Sequence, residues 1–135
     1  MAQSHLFFKP YPPYLTPPAN MTLTNSSDPP SYAKKLTQDV LNVPIHQTLG
    51  LKLISQANTP SPTAILNFKT TSIHLTPSNT VHGGISSLII DSACFLALIP
   101  TLSDGQSAAT IASSFQILNS VPGEGNSYEV EGRVT

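Results

Sequence analysis

Three adjacent residues, His82, Gly83 and Gly84, stand directly before an apolar run, Ile85 to Ile99, that holds a single ionisable carboxylate, Asp91. If that run is a helix, its first N–H groups have no partner inside it and lie at the positive end of its dipole, so they attract negative charge. Glycines carry no Cβ, so a ligand can reach their backbone closely. An N–H presented there polarises a carbonyl and stabilises the oxyanion that forms when water attacks. The competing reading is structural: the glycines make a tight turn and His82 packs beneath it. Asp91 supplies a candidate for the other half of such chemistry, because burial favours the protonated form of a carboxylate and tunes it toward general-base work. Its bland counterpart is a buried aspartate satisfied by loop N–H groups, by Ser87 or by Ser92.

Helical geometry constrains how these groups could cooperate. Gly84 and Asp91 are seven positions apart, two turns, so they share a face but are separated by about 10 Å along the axis. An activated water must lie about 3 Å from the carbonyl it attacks, so one chain cannot bring both groups to one bond. A symmetric homodimer, or a dimer of dimers built from it, with sites shared between chains, is the consequence.

The elements that would position these residues follow from pattern. Ser31 is placed to cap a short helix running through Leu41, with Tyr32, Leu36 and Val40 toward a core and Pro44 as its stop. Leu49, Leu51 and Leu53 alternate with Gly50, Lys52 and Ile54, and Ala64, Leu66 and Phe68 alternate with Ile65, Asn67 and Lys69. These two runs flank a Pro-Ser-Asn-rich turn at 56–62 and predict a pair of antiparallel strands. A loop over 70–81 leads into the Gly83-Gly84 turn, and the apolar residues of 85–99 cover nearly the whole circumference of a helix, which places it in the middle of a domain. After the Asp104-Gly105 turn, Ala109, Ile111, Ser113, Phe115 and Ile117 predict a third strand. Tyr128, Val130 and Val134, alternating with Glu129, Glu131 and Arg133, predict a fourth. The expected class is α+β, an antiparallel sheet wrapped around one long central helix.

The 135 residues allow one domain, spanning residues 31–135, behind a Pro-rich tail at residues 1–30 that is expected to be disordered. Six Lys and Arg against seven Asp and Glu, unclustered, leave no electrostatic footprint for nucleic acid. The run from Leu88 to Pro100 falls short of the roughly 20 residues that cross a bilayer, so no membrane span is expected. The single cysteine, Cys94, falls inside the apolar helix, which fits a reducing compartment. A cytoplasmic address is the default, with a mitochondrial one as the alternative although the first forty residues poorly match a transit peptide. The four histidines, His5, His46, His74 and His82, lack ligand spacing, so no metal and no cofactor is expected.

Taken in order, Val43-Pro44-Ile45-His46-Gln47-Thr48-Leu49-Gly50, then Thr80-Val81-His82-Gly83-Gly84-Ile85, then Leu88-Ile89-Ile90-Asp91-Ser92-Ala93, and finally Ala109-Thr110-Ile111 through Phe115, resemble the acyl-CoA thioesterase branch of the hotdog fold. That group includes the phenylacetate-pathway thioesterases, and the likeness covers about residues 36–135. The resemblance implies a catalytic set in which the Gly83 N–H holds the thioester carbonyl, Asp91 of the facing subunit activates water and Thr110 orients the water or the carboxylate. It implies a substrate-binding turn made of His82, Gly84, Thr76 and Asn79, with His82 mainly organising the loop. Two departures stand out: Thr76 replaces an Asn frequent six positions before the histidine, and Asn79 replaces a common glycine in what would be a left-handed conformation. Family members also continue for about two strands beyond Val134, so a C-terminally truncated domain with unpaired edges is expected.

Three readings of function follow. The first is hydrolysis of an acyl-CoA or acyl-carrier thioester; the second is a hotdog module that only binds acyl ligands or dimerises; the third is a hotdog hydratase or dehydratase. The absence of a G-x-S-x-G elbow argues against a serine esterase.

Overall fold

The computed structural model describes residues 30–58, 61–116 and 121–135. Apart from Pro30, the Pro-rich tail expected at residues 1–30 lies outside them. Among the described residues there are three α-helices and three strands, α1 Ser31–Leu41, α2 Pro44–Thr48, β1 Lys52–Ala57, β2 Thr63–Lys69, α3 Gly83–Leu98 and β3 Ser127–Arg133, with short 3-10 turns at Ser72–His74 and Ile99–Thr101. The sheet is antiparallel in the order β1-β2-β3, and α3 packs across it.

Strand β2 is central because alternate residues are apolar and small enough to lie beneath a helix. Ala64, Leu66 and Phe68 face inward and are buried, while Thr63, Ile65 and Asn67 are half-buried on the other face. Leu66 pairs with Leu53 on one side and Val130 on the other, and Phe68 pairs with Tyr128, their rings 5.9 Å apart. At the opposite end of the layer Ala64 pairs with Gly132. Side-chain size therefore tapers along the inward face, and α3 comes closest at the small end. A Cβ built on Gly132 would lie 2.1 Å from the Ala93 carbonyl oxygen. Ile89, Ala93, Leu96 and Ala97 of α3 complete the core with Leu49 and Leu51.

The far end of α3 has a polar constraint. Pro100 has no N–H, so the Leu96 carbonyl four residues earlier loses its helical donor. Gln56 of β1 replaces it, donating from Nε2 at 2.7 Å, and also meets the Thr37 hydroxyl of α1 at 3.3 Å. One side chain thus ties sheet, first helix and central helix together.

Several expectations need correction. Ser31 is the first helical residue and not the cap: Pro30 occupies that place, its carbonyl accepting the Lys34 N–H at 3.1 Å, and no side chain caps the helix. Pro44 ends nothing. Its fixed φ and missing N–H suit the first position of a helix, and it opens α2. Leu49 and Leu51 are buried as expected but lie between α2 and β1, which begins at Lys52; a bulge between Leu53 and Ser55 turns Ile54 outward, 57% exposed. The third strand expected over 109–117 is not formed by residues 109–116, and Ile117 lies outside the described residues. Ile111 is 61% exposed. A strand needs a ladder partner, and among the described residues none lies beside this segment or along the second edge of β3. Helix α3 is also less enclosed than its composition suggests, since Ile85 to Leu88, Ile90 and Asp91 are only half-buried. With the 3-10 turn that follows it runs for 19 residues, Gly83–Thr101, long and apolar enough to cross a membrane, and half of it is buried within the domain.

Two substitutions test this packing. Gly132→Ala drives a methyl into backbone and is expected to lower stability by on the order of 3 kcal/mol in denaturant unfolding, a smaller loss meaning that α3 moves away from the sheet. Gln56→Leu leaves the Leu96 carbonyl unpaired and is expected to cost about 1–3 kcal/mol in the same measurement.

Candidate active site

The turn entering α3 is held from both sides. Within the 70–82 loop, Thr76 N–H donates to the Thr80 carbonyl at 2.8 Å, and Leu75 bridges Val81. Asn79 adopts φ 55°, the left-handed conformation expected of it, which reverses the chain so that this pairing can form. Its carbonyl accepts the Gly123 N–H at 3.0 Å, and Val81 N–H donates to the Val121 carbonyl at 2.9 Å, so the segment before β3 clamps the loop.

The three residues of the turn have distinct tasks. His82 is the N-cap of α3: its extended backbone precedes the helix, its carbonyl accepts from Ile85 and Ser86, and its Nδ1 accepts the Gly84 N–H at 3.0 Å. The imidazole can lie over the first turn because Gly84 has no side chain; a Cβ there would sit 3.2 Å from Nδ1. The Gly84 N–H is therefore spent on the cap. Gly83 is different, since its N–H has no acceptor among the described residues and remains open at the positive end of the helix.

Two turns along α3, Asp91 is half-buried and meets Thr110, which lies in the irregular segment after the Asp104-Gly105 turn. The Thr110 hydroxyl donates to Asp91 Oδ1 at 2.8 Å. Oδ2 has no partner among the described residues, so this carboxylate is oriented by one oxygen and open at the other. Such an arrangement can accept a proton from a water held beside it. Neither Ser87 nor Ser92 satisfies Asp91: Ser87 donates to the Gly83 carbonyl at 2.7 Å, and Ser92 lies between the Leu88 carbonyl, at 2.8 Å, and His46 Nε2, at 2.9 Å. His46 in turn reaches the Val40 carbonyl at 2.7 Å through Nδ1, which fastens α2 between α1 and α3.

Thus Asp91 and Thr110 are brought together, and Gly83, Gly84 and His82 form one cap. Thr76 and Asn79 stay in the loop behind it: the Thr76 hydroxyl pairs with that of Thr80 at 2.9 Å, and the Asn79 side chain lies against Gly123. Sequence reasoning passed over His74, which is 1% exposed. Its Nε2 meets the Leu49 carbonyl at 3.0 Å, its Nδ1 the Thr71 N–H at 3.0 Å, and its own carbonyl accepts the His82 N–H at 2.8 Å. The signal available was the spacing Thr71-x-x-His74, a capping box with histidine in the place usual for Glu or Gln. No cluster of three metal-ligating side chains occurs among the described residues.

No family model and no curated protein sequence matches the chain. Solved structures do. A phenylacetic acid degradation-related protein of Ralstonia eutropha JMP134, described as a thioesterase, superposes with a TM-score of 0.62 at 21% identity over 76% of each chain. A thioesterase family protein of Silicibacter pomeroyi gives 0.64 at 22% identity, over 74% of this chain and 70% of its own. The E. coli PaaI protein from the phenylacetic acid degradation operon gives 0.61 at 20% identity, over 74% and 68%. With a long helix laid across an antiparallel sheet in both this chain and those proteins, the chain has the hotdog fold of the PaaI-type thioesterase proteins.

Proposed function

We propose that this chain is a hydrolase of acyl-CoA or acyl-carrier thioesters, working as a homodimer whose sites are shared between subunits. The observation that carries the reading is the division of labour at the helix start: the cap consumes the Gly84 N–H and leaves the Gly83 N–H for a carbonyl oxygen. The fold neighbours supply the reaction class, since each is described as a thioesterase or belongs to phenylacetic acid degradation.

In this reaction the thioester carbonyl oxygen accepts the Gly83 N–H of one subunit. Asp91 of the other, oriented by Thr110, takes a proton from water as the water oxygen bonds to the carbonyl carbon. The tetrahedral oxyanion collapses, the carbon–sulfur bond breaks, and Asp91 returns the proton to the departing thiolate. Two subunits are required because Gly83 and Asp91 of one helix lie about 12 Å apart along its axis. No group other than water and the thioester enters the balance. A cytoplasmic setting accompanies this reading, with the buried Cys94 thiol suited to a reducing compartment.

Two substitutions and their combination test the proposal. Asp91→Asn removes the base and is expected to lower kcat on an acyl-CoA panel by about 10²–10⁴-fold with the thermal midpoint unchanged. Gly83→Pro deletes the Gly83 N–H at a helix position that tolerates proline, and a loss of about 10²–10³-fold is expected. Co-expressed, the two variants form mixed dimers with one intact site each, so activity should recover to about a quarter of wild type. Absence of recovery would exclude shared sites, and absence of turnover by the wild-type protein on every acyl-CoA would favour a module that binds acyl ligands without hydrolysing them.

A further inference from the structure

We infer that His74 is a positioning residue for the Gly83 amide: a buried imidazole in a single neutral tautomer ties the turn carrying Gly83 to the junction of α2 and β1. The inference rests on the thioester reading above and adds to it a residue outside the reacting groups. His74 touches three separate parts of the chain. Its Nδ1 accepts the Thr71 N–H at 3.0 Å, so the ring proton belongs on Nε2, which donates to the Leu49 carbonyl at 3.0 Å. Its backbone carbonyl accepts the His82 N–H at 2.8 Å, and His82 is the cap that consumes the Gly84 N–H and leaves that of Gly83 open. The Phe68 ring, 5.6 Å away and tilted by 30°, walls the imidazole on the core side.

The chemistry explains why a histidine stands at a site that is 1% exposed. An apolar side chain of similar size would fill the space, yet it would leave the Thr71 N–H and the Leu49 carbonyl facing one another unpaired. A neutral imidazole accepts at one ring nitrogen and donates at the other, so one rigid ring meets both groups at once, whereas the shorter Asn or the longer Gln amide reaches only one of the two places. The loop from Thr70 to His82 is held at its first residue by the bonds of Thr70 to Gly123, Gly125 and Asn126, and at its tip by the Asn79 turn; the His74 ring is its link to the junction of α2 and β1. Without the Leu49 tether the loop around His74 can shift, and a displacement of about 1 Å at a reacting group costs on the order of 10²-fold in rate.

The test separates the two ring edges. An Asn at this position sets its polar atoms near the place of Nδ1, and a Gln sets them near the place of Nε2. His74→Asn should keep the Thr71 contact but lose the Leu49 tether, lowering kcat about tenfold or more with KM nearly unchanged. His74→Gln should keep the tether and nearly all of kcat. The Gly83 amide resonance in a nitrogen–proton correlation spectrum should move in the first variant and stay in place in the second, whether or not any substrate is turned over. Wild-type kcat together with an unmoved Gly83 resonance in folded His74→Asn would overturn the inference. If that variant does not fold, His74→Gln decides: an unmoved resonance and retained kcat support the tether, and a shifted resonance refutes it. Should the wild-type protein hydrolyse no acyl-CoA while the Gly83 resonance still moves in His74→Asn, the thioester reading fails and the positioning role stands.

Discussion

Helix α3 lies so close to the sheet that position 132 has no room for a methyl group, and the rest of the domain is arranged around that approach. The contact is backbone to backbone, Gly132 against the Ala93 carbonyl, with Ala64 beside it in the sheet. Small residues meet where the layers converge, and Phe68 and Tyr128 fill the end where the sheet carries its largest side chains. Dense packing of this kind does not deform smoothly, so the position of α3, and with it the direction of its N-terminal amides, is set by a few small side chains in β2 and β3.

Polar groups then secure what the packing positions. Gln56 donates to the carbonyl that Pro100 orphans, which lets α3 end in a tight 3-10 turn without an unsatisfied acceptor in the core. His46 joins α1, α2 and Ser92 of α3. His74 and His82 act in series from Leu49 to the first turn of α3. His46 and His74 each use both ring nitrogens for hydrogen bonds, and His82 uses Nδ1. At the helix start, capping by a side chain two residues away takes up the Gly84 N–H, and the Gly83 N–H has no acceptor among the described residues.

The same logic separates the orientation of Asp91 from its chemistry. Thr110 holds one carboxylate oxygen and leaves the other open, a compromise between fixing the side chain and keeping it able to accept a proton. Thr110 comes from a segment that makes no ladder with the described sheet, so its bond to Asp91 is the side-chain link between that segment and α3. Under the proposed reaction the Gly83 amide and the Asp91 carboxylate must come from two chains, since the distance between them along one helix is fixed by its rise.

Sequence alone determined the central helix and its start, the alternation of β2 and β3 and the burial of Leu49, Leu51 and Cys94, while the left-handed Asn79 was expected from the family resemblance. These are local or periodic properties, written into glycine, alternation and apolar runs within a few residues of one another. Tertiary structure decided what depends on distant partners. Residues 109–116 have the alternation of a strand but no ladder partner among the described residues, so pattern there did not become a strand. Pro44 could stop one helix or start another, and packing of α2 between its neighbours selected the second. The choice between Gly83 and Gly84 as the open amide turned on where the His82 ring lies, and the role of His74 on carbonyls 25 residues before it and amides eight residues after it; no local pattern records such contacts, because hydrogen-bond partners in a core are set by three-dimensional proximity rather than by spacing along the chain.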